Sequence, residues 1–191
     1  MQPTIKFLLK DIHDTHKALM EDVELINQLQ ISVKKITACF QAGGKLLICG
    51  NGGSASQAEH LAAEFTGRFK LERPPLHAET LHNNISHLTA VANDYHFSQV
   101  FKRSLQAVGK TNDILLALST SGQSENVIEV LKEAKKMGIS SILWTGNKDG
   151  AAAKIADLAL RYPGANTARI QEGHLVFSHI LCELVETEMF G

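Results

Sequence analysis

His60 and Glu64 stand four residues apart, and Gln171 and His179 stand eight apart. Four residues are one helical turn, so His60 and Glu64 share a helix face. Eight residues are about two turns, so Gln171 and His179 share a broad stripe. Imidazole nitrogens, carboxylates and amide oxygens can ligate a divalent metal, and a Glu–His set can also move protons. The same spacings equally fit a plain helix pair and packed histidines, and spacing alone leaves both readings open.

Two loops offer a different chemistry. The first, "GNGGSAS", follows the apolar run "KLLIC" and contains Asn51, Gly52, Gly53 and Ser54. Gly50, Gly52 and Ala55 nearly match the dinucleotide fingerprint G-x-G-x-x-[GA]. That fingerprint also needs an acid closing the next strand, about 20 residues on, and that stretch ends at Leu81 and His82 without one. No Lys follows the glycines, which excludes a P-loop. A sugar or phosphate turn is favoured, with glycines that let the backbone approach a ligand closely. The second loop, "LSTSGQSENV", sets Ser119, Thr120, Ser121 and Ser124 around Gly122. A helix starting near Ser124 turns free N–H groups toward the loop, so a phosphate monoester fits there without Lys or Arg. A cap needs one hydroxyl, and this loop carries four in six residues.

The elements that must position these groups follow from apolar periodicity. The first forty residues read as helix, with one stripe at Ile5, Leu8, Leu9 and Ile12 and another at Val33, Ile36 and Phe40. Gly43 and Gly44 stop it. Strands are expected at 45–50, 113–118, 140–145 and 158–162, with a weak one at 76–81. Helices are expected at 54–66, 86–107, 124–137 and 167–189, with a short one at 151–156. Apolar strands alternating with helices imply a five-stranded parallel sheet in a three-layer α/β/α sandwich. The N-terminal helices, about 1–43, form an extension to this single domain. Ligands of such sheets bind beyond the carboxyl ends of the strands, where both loops fall.

The bulk composition narrows the class. The chain has 191 residues, 44% of them apolar, with 19 basic against 20 acidic residues. That balance gives no reason to expect nucleic acid or an anionic membrane as a partner. Three cysteines without paired spacing fit a reduced cytoplasmic chain and no zinc staple of the CxxC kind. The N-terminus lacks the apolar core of a secretory signal, and no apolar run is long enough to span a bilayer.

The segments "GNGGSASQAEHLAAEFTGRF", "ANDY", "STSGQSENV" and "TARIQEGHLVFSHILCELVE" resemble the phosphoheptose isomerases of the sugar isomerase (SIS) domain family. The resemblance runs from about residue 2 to 189. It implies a flavodoxin-like SIS fold and isomerisation of sedoheptulose 7-phosphate to D-glycero-D-manno-heptose 7-phosphate through an enediol. It also implies one Zn²⁺ per subunit, ligated by His60, Glu64, Gln171 and His179, with Glu64 and His179 as the acid/base pair. Substrate contacts carry over to Asn51, Gly52, Gly53, Ser54, Glu64, Asn93, Asp94, Ser119, Thr120, Ser121, Ser124 and Gln171; Ser54 is alternatively a helix cap. Arg68 matches a basic residue that reaches a neighbouring subunit, and the assembly implied is a homotetramer with sites between subunits. His174 fits the family pattern in a packing or supporting role. "HNNIS" (82–86) departs from the family's "TTDTS", with Asn84 where Asp is usual, and Ala168 stands where some members carry Asp. Two alternatives remain: an isomerase of another ketose phosphate, or a non-catalytic relative that binds a protein of the replication-initiator type. That relative lacks the terminal His, which is present here as His179.

Overall fold

A computed structural model describes residues 1–148 and 150–191. Helices α1 (Gln2–Glu21) and α2 (Val23–Gln41) lead into strand β1 (Leu46–Gly50) and helix α3 (Gly53–Thr66). There follow β2 (Ala78–Thr80), α4 (Ile85–Asp94), α5 (Val100–Val108), β3 (Ile114–Ser119), α6 (Glu125–Met137), β4 (Ser140–Gly146), β5 (Leu158–Tyr162) and α7 (Thr167–Phe190). The strands form one parallel sheet in the order β2-β1-β3-β4-β5. The order reverses between β1 and β3, so the two loops of interest leave the sheet side by side at the switch point.

The pleat divides the core. Leu46, Ile48, Leu116, Leu118, Ile142, Trp144 and Leu160 face α2, α3 and α7. Leu47, Cys49, Leu115, Ala117 and Leu143 face α4, α5 and α6. Strands covered on both sides must be apolar throughout, and β1 and β3 are buried at every position. Of the two N-terminal stripes, only that of α2 packs on the sheet, with Val33, Ile36 and Phe40 buried. On α1, Ile5, Leu8 and Leu9 remain about half exposed.

Two expected elements differ. The helix expected over 86–107 is broken into α4 and α5. Tyr95 leaves helical geometry, and the side chain of extended His96 accepts the Ser98 N–H at 3.2 Å, starting a 3₁₀ turn at Phe97–Gln99. A local side-chain bond there outcompetes the helix ladder. The helix expected over 151–156 is a 3₁₀ turn at Ala151–Lys154.

Candidate active site

Helix α3 begins two residues earlier than a Ser54 cap would place it. Its N-cap is Gly52, at φ +56°, where any side chain would be strained. Ser54 is instead buried with Ala58, Leu61, Ala62 and Phe65 on the core face of α3. The Ser54 N–H donates to the Asn51 carbonyl at 3.0 Å. His60 and Glu64 lie on the opposite, solvent-facing side.

In the second loop Ser124 is the N-cap of α6, yet its side chain makes no capping bond. Its Oγ lies 3.4 Å from that of Ser119. Ser119 Oγ accepts the Gly122 N–H, and Ser121 Oγ accepts the Gln123 N–H, each at 3.2 Å. The hydroxyls thus gather at the start of a 13-residue helix without closing it off. Thr120 and Ser121 line a cleft of about 560 Å³ with Asn147, Lys148, Asn166 and Thr167 at the strand ends. The Asn51 side chain is engaged with this loop: its amide exchanges two hydrogen bonds with Asn126, at 2.9 and 2.8 Å.

The two helices of the donor set run alongside each other. The amide of Gln171 lies against Gly53, where an added Cβ would sit 2.7 Å from its nitrogen. The Gln171 carbonyl accepts from the Gln57 side chain. About two turns further along both helices, His60 meets His179, with their Nε2 atoms 3.1 Å apart. Glu64 Oε1 is 3.4 Å from His60 Nε2. Donor atoms of His60, Glu64 and His179 all lie within 4.8 Å of one another. Ligands at about 2.1 Å on a tetrahedral ion sit about 3.4 Å apart, so this trio fits one face of a zinc site. Gln171 stands two turns up α7 from His179, on the side toward the first loop.

A family profile described as "SIS domain" matches residues 12–146. The phosphoheptose isomerase of Campylobacter concisus is 43% identical over 188 residues, covering 98% of this chain and 100% of its own. The chain belongs to the phosphoheptose isomerase family of SIS-domain proteins. Among solved structures, the phosphoheptose isomerase from Francisella tularensis superposes with a TM-score of 0.92 at 34% identity, over 97% of this chain and 98% of its own. That from Neisseria gonorrhoeae gives 0.89 at 35% identity, over 96% and 98%.

Beneath the surface trio lies a buried ion pair that sequence patterning did not single out. Arg73 Nε donates to Glu186 Oε1 at 2.8 Å, and both side chains are at most 2% exposed. The carboxylate also accepts the N–H groups of Phe69, Lys70 and Leu71. Burial pushes the Glu186 pKa up, but those three N–H groups and Arg73 together hold it below its ordinary value. Arg73 meanwhile donates to the carbonyls of Glu64 and Phe65 at 2.9 Å each. One pair therefore ties the C-terminal end of α3 to α7 and holds the loop whose Phe69 ring stacks on His179, with centroids 5.8 Å apart. The available signal was an acid seven residues after His179, on the same helical stripe.

The remaining carried-over residues lie elsewhere. Asn93 and Asp94 end α4 and bond to each other at 2.8 Å. Asp94 lines a separate groove with His87, Tyr95 and Arg103. Arg68 is exposed just past α3, 3.8 Å from Glu72. Within "HNNIS", Asn84 is the N-cap of α4 and accepts the His87 N–H at 3.0 Å; Asn and Asp serve this role equally. His82 is buried against Phe101.

His174 is fully buried, with its ring over Trp144. Burial pushes its pKa from 6.5 down to about 4, and only the backbone of Thr145 favours the charged form. Between those values the unfolded chain binds the proton more readily, so stability falls as pH falls through this window. Lowering the pH from 7 to 5 is expected to remove roughly 2 kcal/mol through this residue. Denaturant titrations at both pH values should show that loss in the parent and its disappearance in His174→Leu.

Proposed function

We propose that the chain isomerises sedoheptulose 7-phosphate to D-glycero-D-manno-heptose 7-phosphate, and that His60, Glu64, Gln171 and His179 hold a zinc ion. The observation that carries this is the convergence of His60, Glu64 and His179 in a chain whose full-length relatives are named phosphoheptose isomerases.

The hydroxyls of Ser119, Thr120, Ser121 and Ser124 and the N-terminus of α6 bind the phosphate. The backbone of Asn51, Gly52 and Gly53, together with Gln171, Asn93 and Asp94, surrounds the sugar, and buried Ser54 supports the turn from beneath. Glu64 and His179 move the protons: one takes a proton from C1 of the ketose, giving an enediol, and a proton returns at C2. The hydroxyl proton of O1 leaves as the C1 aldehyde forms, and O2 gains one. Bound zinc would supply polarisation of the carbonyl and stabilisation of negative charge on the oxygens. The trio is partly open to solvent, which leaves a path for the carbonyl end of the sugar.

We read the chain as one cytoplasmic domain with a helical extension, assembling as a homotetramer with sites between subunits. The exposed Ile5, Phe7, Leu8 and Leu9 on α1 support assembly, as does the placement of Asp94 in a groove apart from the trio; a monomer by light scattering would contradict it. Among the described residues no helix is long and apolar enough to cross a membrane. The product heptose would feed lipopolysaccharide core or capsule synthesis.

Turnover of sedoheptulose 7-phosphate should fall to background after verified removal of the metal and return on adding zinc. An unchanged rate in the metal-free protein would remove the ion from the reaction.

A further inference from the structure

We propose that Asn126 is a positioning residue that locks the phosphate-holding loop to the start of α3, and so sets the span between the phosphate and the reacting carbons. Its kinetic consequence rests on the isomerase activity proposed above; the lock itself does not.

Asn126 is the second residue of α6 and is 2% exposed. Its Nδ2 donates to Asn51 Oδ1 at 2.8 Å. Its Oδ1 accepts from Asn51 Nδ2 at 2.9 Å and from the Val127 N–H at 3.0 Å. The last ladder partners of β1 and β3 are Gly50 and Leu118. Beyond them no strand pairing links the loops, and the amide pair continues the connection one residue past the sheet. Each end is anchored in a first helical turn. The Asn51 carbonyl receives the Ser54 N–H of α3, and Asn126 lies two residues after Ser124. Moving one loop therefore drags the other.

The chemistry requires this residue type. A side chain that both donates and accepts at this length is Asn alone. Asp would set an acceptor against Asn51 Oδ1, and Ala would take away both partners of the part-buried Asn51 amide. A ligand that touches only the serine loop does not sense the lock. A ligand that spans from that loop to the α3–α7 trio does, because misplaced reacting atoms lose the benefit of prior orientation.

The test compares two ligands and one physical readout in Asn126→Ala. The value of kcat/KM for sedoheptulose 7-phosphate should fall roughly 30-fold, while competitive inhibition by inorganic phosphate shifts less than about twofold. Amide hydrogen exchange should speed up at residues 52–56 as well as at 120–128. Asn126→Asp, which keeps the volume and loses only the bond donated to Asn51 Oδ1, should show the same exchange pattern in both loops and serves for that readout if the Ala variant does not fold. Phosphate inhibition weakening in step with kcat/KM, or faster exchange confined to 120–128, would reduce Asn126 to a support for its own loop and overturn the proposal. If the parent protein shows no turnover of this sugar, the exchange measurement decides the lock by itself: faster exchange in both loops upholds it, and a change in one refutes it.

Discussion

Glu64→Gln and His179→Gln should each lower the isomerisation rate by about 10²- to 10⁴-fold, the range for loss of a general acid or base, with the fold retained. Glu64 and His179 are partly exposed, and neither is among the buried core residues. Replacing either removes little packing, so the circular dichroism spectrum and melting temperature should stay near the parent values. Gln keeps the size of Glu and an oxygen donor but cannot take a proton. Metal content measured on the same samples separates the two contributions. A variant that retains zinc yet loses turnover has lost proton transfer, whereas one that loses both has lost a ligand. Full activity in either variant would remove that residue from the chemistry.

The second large effect lies beneath the trio. Glu186→Leu should destabilise the protein by about 3–5 kcal/mol, because it strands the buried Arg73 guanidinium. At about 2–4 °C per kcal/mol for a chain of this size, the melting temperature should fall by roughly 6–20 °C. It also leaves the N–H groups of Phe69, Lys70 and Leu71 without their acceptor. The double variant Arg73→Met, Glu186→Leu removes the stranded charge and should be less destabilised than the sum of the two singles. Metal affinity is expected to fall in the single variants, since Phe69 no longer braces His179 and the end of α3 loses its tie to α7. Strict additivity, or a melting point within about 2 °C of the parent, would show that the pair does not act as a unit.

The fold was legible where burial imposes composition. The strands at 46–50, 114–119 and 140–146 are apolar because helices cover both faces, and a run of Leu, Ile and Ala records that directly. Strand β2 is short and carries Glu79 at the sheet edge, so its signal was weak. The break at Tyr95 and His96 was illegible because it depends on one side-chain bond to Ser98. For the site, spacing placed His60 with Glu64 on one helix, but only packing of α3 on α7 brings His179 to them. The resemblance carried that step. The bond between the Asn51 amide and Asn126, 75 residues away, was illegible. Likewise Arg73 and Glu186 are 113 residues apart. Pairings at such separations leave no periodic trace, and each residue alone reads as an ordinary surface polar group.

The proposed reaction moves a proton between C1 and C2 of a seven-carbon ketose phosphate. The most direct test is to incubate the zinc-loaded protein with sedoheptulose 7-phosphate in D₂O and follow it by NMR. New anomeric signals of an aldoheptose 7-phosphate should appear, with solvent deuterium entering at C2 as the enediol is quenched. A ketose spectrum that stays unchanged, with and without added zinc, would contradict it.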